Sequence, residues 1–399
     1  MKKVNPEISD DDLLAIVQYQ SSEATGSEYS SGELVYDRAN ALNYYYARPR
    51  GDEVDGNSTV QSTDVRDAVD AMLSQVMPNL TSGDLVQFEP QNQEDEEQAR
   101  IESSFCNWVV MEKNNGFMLL ETLLKDVLLS KNATAKVRVD ITEDVEKERY
   151  KGLSKEELIM VLQPTQRNQE IVVTSFDEEA GNVNLKRITT TRSLVVEPVP
   201  PENFAVTPEH RSPYLEDCKY CREIYWTTRS ELIEEGYDPE LVSALPTANS
   251  DTKIDSVARN QVVSEQNFYD TSPSMQTIEV EEHYIRIDRD GDGVAELWMV
   301  KTVQNNLLDA EEVDCIPYAN GVGWLNGHRY YGDSVYDKLK EVQDGKTHML
   351  RQIEDNAQAG NHAKTNVIED QVNMEDFTTG RHNAIRRVET QDAAREVPH

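Results

Sequence analysis

The sequence predicts an α+β fold, a mixed helical and antiparallel-β body followed by one long helix and a short C-terminal region. Three observations carry that reading. Apolar residues recur at helical spacing in separate blocks across the first third of the chain. Residues 171–199 and 220–303 instead show short alternating runs rich in Val, Ile, Thr and Tyr, punctuated by Gly, Pro and Asp. Residues 334–358 then carry one long helical pattern.

Each element has a local reason. Ser9 before Asp10, Asp11 and Asp12 reads as an N-cap, with a short helix through Leu13 and Ile16. Leu34, Val35, Ala39, Leu42 and Tyr46 predict a helix over 32–47, and a Gly/Asp/Asn-rich loop runs from Arg48 to Ser62. The stripe Val65, Val69, Met72, Leu73, Val76 predicts a helix from Thr63 that stops at Pro78. Residues 85–90 read as a short strand. Residues 93–114 read as a helix with an acidic first turn suited to its dipole. Asn114-Asn115-Gly116 is a turn, and 117–129 is a strongly apolar core helix.

Residues 133–141 alternate as a strand, and 147–163 read as a helix with a capping box at Ser154 to Glu157. Residues 171–176, 183–189 and 192–199 predict an antiparallel meander closed by prolines. Residues 220–227 are a strand, and 228–235 are a helix stopped by Gly236. Residues 247–274 are polar and aperiodic, and a mobile loop is expected there. Strands 277–287 and 295–303 flank an Asp/Gly turn, and the last forty residues are short β or loop pieces. No internal repeat is evident.

A chain of 399 residues predicts two or three structural units. Its net charge of −35 argues against a simple DNA-binding module, because such modules neutralise phosphates with Lys and Arg. Two readings of the acidity hold together: solubility, and a conduit through which DNA passes without sticking. Cys106, Cys218, Cys221 and Cys315 are too sparse for a disulfide framework. Cys218 and Cys221 form a lone C-x-x-C with His210 the only nearby further ligand, so two ordinary cysteines at a strand start are expected. No signal peptide and no run of about 18 apolar residues occurs, so no membrane association is expected.

Asp288, Asp290, Asp292 and Gly293 match positions 1, 3, 5 and 6 of a calcium loop. Met299 stands where that loop needs a bidentate Glu, and the flanks read as strands. A hairpin turn using Asp and Gly for left-handed geometry is the preferred reading, with a metal site on these three aspartates the lesser one. There is no G-x-S-x-G, no H-E-x-x-H and no G-x-x-x-x-G-K-[ST] phosphate loop. No cofactor is expected. Tyr44-Tyr45-Tyr46 invites a base-stacking reading, but its helical setting favours packing. In the long helix Val335, Leu339, Val342, Leu350 and Ile353 form a discontinuous apolar stripe. Lys338, Lys340, Lys346, His348 and Arg351 interleave with acids on its other faces. Such a helix suits packing against copies of itself in a ring, or an ordinary domain-spanning role.

The order of motifs is more telling than any one of them. Tyr45-Tyr-Ala-Arg-Pro-Arg-Gly-Asp-Glu-Val-Asp-Gly-Asn-Ser58 precedes Ser62-Thr-Asp-Val-Arg-Asp-Ala-Val69, then Phe88-Glu-Pro90, Asp95-Glu-Glu-Gln-Ala99 and Asn114-Asn-Gly-Phe117. Trp226-Thr-Thr-Arg-Ser-Glu-Leu-Ile-Glu-Glu-Gly-Tyr237, the Asp288 turn, His328-Arg-Tyr-Tyr-Gly-Asp-Ser334, Glu341-Val-Gln-Asp344 and Leu350-Arg-Gln-Ile-Glu-Asp-Asn356 follow. This succession resembles the portal proteins of short-tailed bacteriophages, the head-to-tail connectors, over nearly the whole chain.

The resemblance implies a virion protein, assembled in the host cytoplasm as a homo-oligomeric ring of about twelve copies. Such a ring nucleates head assembly with capsid and scaffold proteins, docks the terminase large subunit, passes double-stranded DNA and holds tail adaptors. It is not an enzyme; the terminase turns over ATP. By position, residues 1–330 resemble the wing, 331–360 the first stem helix and 361–399 the start of the clip. Family members continue with a second stem helix, a tunnel loop and a crown. This chain is therefore expected to be truncated, and monomeric or irregularly associated when isolated. Lys338, Lys340, Lys346 and Arg351 become candidates to touch phosphate in the channel. The competing readings are another virion component, such as a tail adaptor or scaffold, and a divalent-dependent hydrolase. A scaffold would be more uniformly helical, and a hydrolase needs a clustered acid/base pair that spacing does not reveal.

Overall fold

A computed structural model describes residues 8–30, 34–92, 94–152, 155–164, 166–177, 182–248, 253–260, 272–361, 365–368, 371–373, 375, 388–389 and 394–396. The helices are α1 (Asp10–Ser30), α2 (Leu34–Tyr45), α3 (Asp64–Thr81), α4 (Glu96–Trp108), α5 (Gly116–Ser130), α6 (Lys155–Val161), α7 (Arg229–Glu234), α8 (Pro239–Ala244), α9 (Ile254–Asn260) and α10 (Val335–Asn361). The strands are β1 (Ala133–Tyr150), β2 (Gln169–Asp177), β3 (Asn182–Val199), β4 (Phe204–Val206), β5 (Tyr220–Thr228), β6 (Thr277–Ile287), β7 (Glu296–Val303), β8 (Asn306–Glu312), β9 (Tyr318–Gly321), β10 (Thr365–Val367) and β11 (Ala394–Glu396). All named pairings are antiparallel, and the fold is α+β as expected. The chain divides into two units: unit 1 is Met1–Ala39 with Val69–Ser334, and unit 2 is Asn40–Ala68 with Val335–His399.

Unit 1 holds a four-stranded sheet, β2-β3-β1-β9, and a five-stranded one, β4-β5-β6-β7-β8. The five-stranded sheet is covered on both faces. Leu13, Val17 and Ala24 of α1 pack with Ala205, Tyr220, Ile285 and Val300 on one side. Arg222 fastens that contact, donating to Ser21 Oγ (2.6 Å), Thr25 Oγ1 (2.8 Å) and Glu281 (3.0 Å). Beneath α1, His283 is buried between the Tyr220 hydroxyl and Thr302, each 3.0 Å away. Burial pulls its pKa down to about 4.

The other face carries the main core: Val199, Phe204, Cys218, Cys221, Tyr284, Tyr318 and Tyr330. A second cluster, Leu232, Val242, Leu245, Ile278, Val280 and Val303, lies with α7 and α8. On this face β6 offers Glu282 and β5 its direct partner Glu223. Lys136 of β1 reaches both, at 3.1 and 2.7 Å, while the Tyr318 and Tyr284 hydroxyls donate to Glu223 (2.6 Å) and Glu282 (2.8 Å). Every charged group here therefore has partners, as burial requires.

Several elements depart from the sequence reading. α1 runs for 21 residues rather than one short stretch, because its apolar face has the sheet to cover. α3 continues through Pro78 to Thr81. Residues 85–90 form no strand: Asn107 of α4 bonds the Val86 backbone and Ser103 accepts from Phe88 N, so helix side chains take the place of a ladder. β1 extends to Tyr150, and the helix expected from 147 shrinks to α6; its capping residue Ser154 lies outside the described residues. The two expected strands at 183–199 are one 18-residue strand paired continuously with β1. Part of the loop expected at 247–274 is α9, where Asp255, Ser256 and Ala258 are buried. Arg259 there bonds Asp126 (2.8 Å) and Glu202 (2.7 Å); residues 249–252 and 261–271 lie outside the described residues.

Candidate functional site

The long helix α10 spans 27 residues, two more than its pattern suggested. Five carboxylates, Asp337, Glu341, Asp344, Glu354 and Asp355, face four cations, Lys338, Lys340, Lys346 and Arg351. The helix is thus near charge balance in a chain with 74 acidic against 39 basic residues.

Within unit 2 its inward face is polar. Gln343 and Thr347 are fully buried. Gln343 Oε1 accepts from Val65 N (2.8 Å) and its amide donates to Tyr44 O (3.3 Å), while Thr347 Oγ1 accepts from Ser62 N (3.1 Å). Asp355 accepts from Ser58 N at 2.6 Å, and Glu354 from the Ser58 hydroxyl. The loop between α2 and α3 has no ladder of its own, so α10 side chains satisfy part of its backbone. Gly345-Lys346-Thr347 accordingly sits mid-helix, with Thr347 engaged by backbone.

The outward face carries the apolar residues. Val335 is buried, but Val342, Met349, Leu350 and Ile353 are exposed, Met349 and Ile353 by nearly two thirds. The stripe read in the sequence is therefore only partly covered among the described residues beyond its first turns, with Val342 and Ile353 the most open.

The four cations divide into two pairs. Arg351 is largely buried, donating to Val60 O (3.0 Å), Asp52 (3.0 Å) and Glu53 (3.1 Å). Lys346 bonds Asp64, and that hydrogen bond, with another from Ser62, holds the Asp64 carboxyl below its ordinary range. Lys338 and Lys340 are exposed; the Lys340 ammonium lies 5.6 Å from the Tyr336 ring. Nearby, Asp344 takes hydrogen bonds from Arg50 and the Tyr44 hydroxyl, and Tyr44 packs edge-on against Tyr336. Burial first, then the bond to Asp344, raises the Tyr44 pKa. Of the tyrosine run, Tyr44 and Tyr45 are thus packing residues, and Tyr46 lies beneath Arg48. Sequence reasoning missed the partners Asp52, Glu53, Asp64 and Gln343, since nothing in linear order links them to α10.

The Asp/Gly turn joins β6 to β7 as a hairpin. Asp288 accepts from Gly291 N (2.8 Å) and Gly293 N (3.0 Å), Asp290 from Asp292 N (3.0 Å) and Asp292 from Val294 N (2.7 Å). Gly291 and Gly293 take φ of 80° and 97°, the left-handed geometry that favours glycine. The carboxylates of Asp288, Asp290, Asp292 and Glu296 also lie within 4.8 Å of one another, and Glu296 was missed because it sits on the returning strand. Oxygen donors of this kind suit a hard divalent cation, but the same carboxylates already serve the turn. Calorimetric titration with calcium is expected to give no tight, stoichiometric heat; micromolar binding lost in Asp290→Ala would assign the cluster to a cation instead.

Cys218 and Cys221 are both buried in the main core, with Cys218 Sγ 3.1 Å from Tyr220 O. Both are free thiols; hydrogen bonding from Cys221 first, working against burial and aided by His210, brings the Cys218 thiol down to about 5. Among the described residues, no helix is long and apolar enough to cross a membrane.

An α+β body of two antiparallel sheets is joined in sequence to the long, nearly charge-balanced helix, and comparison with known families places the chain in the class of phage portal proteins. The family model described as Phage SU10 portal protein matches residues 13–399, and the chain belongs to that family. No curated protein matches it.

Proposed function

We propose that this chain is one subunit of a ring-shaped portal at a capsid vertex, through which double-stranded DNA is packaged and later ejected. Family membership over residues 13–399 is the observation that carries the reading. The ring, assembled in the host cytoplasm, docks the terminase large subunit, contacts capsid and scaffold proteins, and holds a tail adaptor. The subunit itself catalyses nothing and needs no cofactor. Residues 1–330 serve as wing, α10 as the first stem helix, and 361–399 as the start of the clip.

Electrostatics supports a conduit. A strongly anionic subunit gives the duplex little to bind, and a near-balanced stem helix offers only sparse cations for transient phosphate contact. All four candidate cations remain part of the proposal, and Lys338 and Lys340 are both exposed. Ala substitutions at Lys338, Lys340, Lys346 and Arg351, made one at a time in the phage, are expected to change packaged genome length or DNA retention. Pulsed-field electrophoresis of DNA from purified heads reads this. Lys340→Ala should act without loss of portal from heads, whereas Arg351→Ala should also impair folding through Asp52 and Glu53. Unchanged length and retention in all four variants would remove the DNA-facing role, and heads that fill normally without this chain would remove the portal reading itself.

A further inference from the structure

Two apolar surfaces of unit 1 are left largely open among the described residues. The first is one face of the β1–β3 ribbon. β1 alternates as Val137, Arg138, Val139, Asp140, Ile141, and directly opposed residues share a face. Val137, Val139, Ile141 and Val145 therefore lie with Val196, Leu194, Arg192 and Ile188 of β3. The reverse face of β1 carries Arg138, Asp140, Asp144 and Glu146. Alternation of this kind marks a strand built to bury one face, yet Val139 and Ile141 are 57% and 56% exposed. The second surface lies on α4, where Ile101, Phe105 and Trp108 recur at helical spacing, each about half exposed. The Phe105 and Trp108 rings are 6.2 Å apart, and the Lys113 ammonium lies 4.9 Å from the Trp108 ring at the end of the stripe.

We infer that the apolar ribbon face of one copy seats on the α4 stripe of the next copy. This rests on the portal reading, and it names the surfaces through which neighbours in the ring meet. Three arguments favour a second copy as the occupant. Among its described residues one chain supplies two different, largely open apolar surfaces, a sheet face and a helix stripe, which is what a head-to-tail contact closing into a ring requires. Copies carrying −35 each repel through their average surface. The ribbon stretch 137–145 with its β3 partners holds only Glu143 and Arg192, of opposite sign, on this face. Finally, two strands over that stretch project about 300 Å². A standard interface buries about 800 Å² per partner, so the patch fits a seam within a larger ring contact rather than a free-standing dimer.

The test places a photo-crosslinking amino acid at position 139 of the chain encoded in the phage, and irradiates assembled heads. The expected product is a covalent pair of chain copies, with the second attachment mapped by mass spectrometry to residues 96–108. A product with another virion protein, attachment elsewhere on the chain, or no product from heads that contain the chain overturns the seam and leaves the portal reading standing. Heads that contain none of the chain overturn both. Val139→Asp with Ile141→Asp supplies the second measurement. Circular dichroism should be unchanged because both residues are exposed, while incorporation into heads falls at least about tenfold, since each copy would bury charge against an apolar stripe. Normal incorporation of that variant overturns the inference.

Discussion

Lys136→Ala is expected to destabilise unit 1 by about 3–5 kcal/mol, the usual effect of removing one member of a buried ion cluster. The substitution leaves Glu223 and Glu282 buried with no cation between them, and only the Tyr318 and Tyr284 hydroxyls still donate. Urea unfolding followed by near-ultraviolet circular dichroism measures the loss. The defect should also depend on pH. Burial pushes the Glu282 pKa up, but the Lys136 charge and hydrogen bonds from Tyr284 and Lys136 hold it below the ordinary carboxylate value. In the native chain its contribution is therefore complete above the unfolded Glu value, about 4.3, and is lost as pH falls through the lower folded one. Burial pulls Lys136 down, yet Glu282 and Glu223 outweigh it and raise its pKa. Its contribution is complete below the unfolded Lys value, about 10.4, and fades only as pH rises through the higher folded one. The gap between variant and native chain should thus be widest near neutrality and narrow in acid, where the stranded carboxylates protonate. Combining Lys136→Met with Glu223→Gln and Glu282→Gln should recover most of the loss. A single variant within about 0.5 kcal/mol of native would show that water reaches the cluster.

Gln343→Ala is expected to cost unit 2 about 2–4 kcal/mol. The change empties a fully buried site and strands the Val65 amide, while the Tyr44 carbonyl keeps only its bond from Ala47 N. Hydrogen exchange resolves it locally: the Val65 amide should exchange far faster, while amides on the five-stranded sheet of unit 1 keep their protection. Gln343→Met retains volume and removes only the polar partners, so it should show about 1–3 kcal/mol of the effect. Unchanged Val65 exchange in both variants would mean that the hydrogen bond does not restrain that turn.

Element type was largely readable in the sequence, and the exceptions have physical causes. Phe88 and its neighbours alternate like a strand, but their backbone is taken up by Asn107 and Ser103, a pairing that depends on where α4 happens to run. Thr190 and Thr191 look like a break between two strands, yet β1 pairs through them without interruption. The Ser9 cap and the helix starting at Thr228 were legible because their signals are local: Ser9 accepts from Asp12 N, and Thr228 and Glu231 cap each other. The ordered motifs of the portal resemblance were legible too, and the family match bears them out.

Local chemistry along the chain determined the class: helices where apolar spacing and caps agree, strands where residues alternate, a glycine-bearing hairpin at Asp288, and the motif order of a portal subunit. The tertiary structure alone decided which face of each element is inside. α10 turns Gln343 and Thr347 inward and leaves Val342 and Ile353 outside, against the simple reading of its apolar stripe. It does so because residues 48–62 carry backbone groups without a ladder, and a buried amide or carbonyl lacking a partner is more unfavourable than an exposed Val or Ile. Hydrogen-bond demand of that kind arises from contacts nearly three hundred positions apart, such as Val65 with Gln343, and no window of sequence contains both partners.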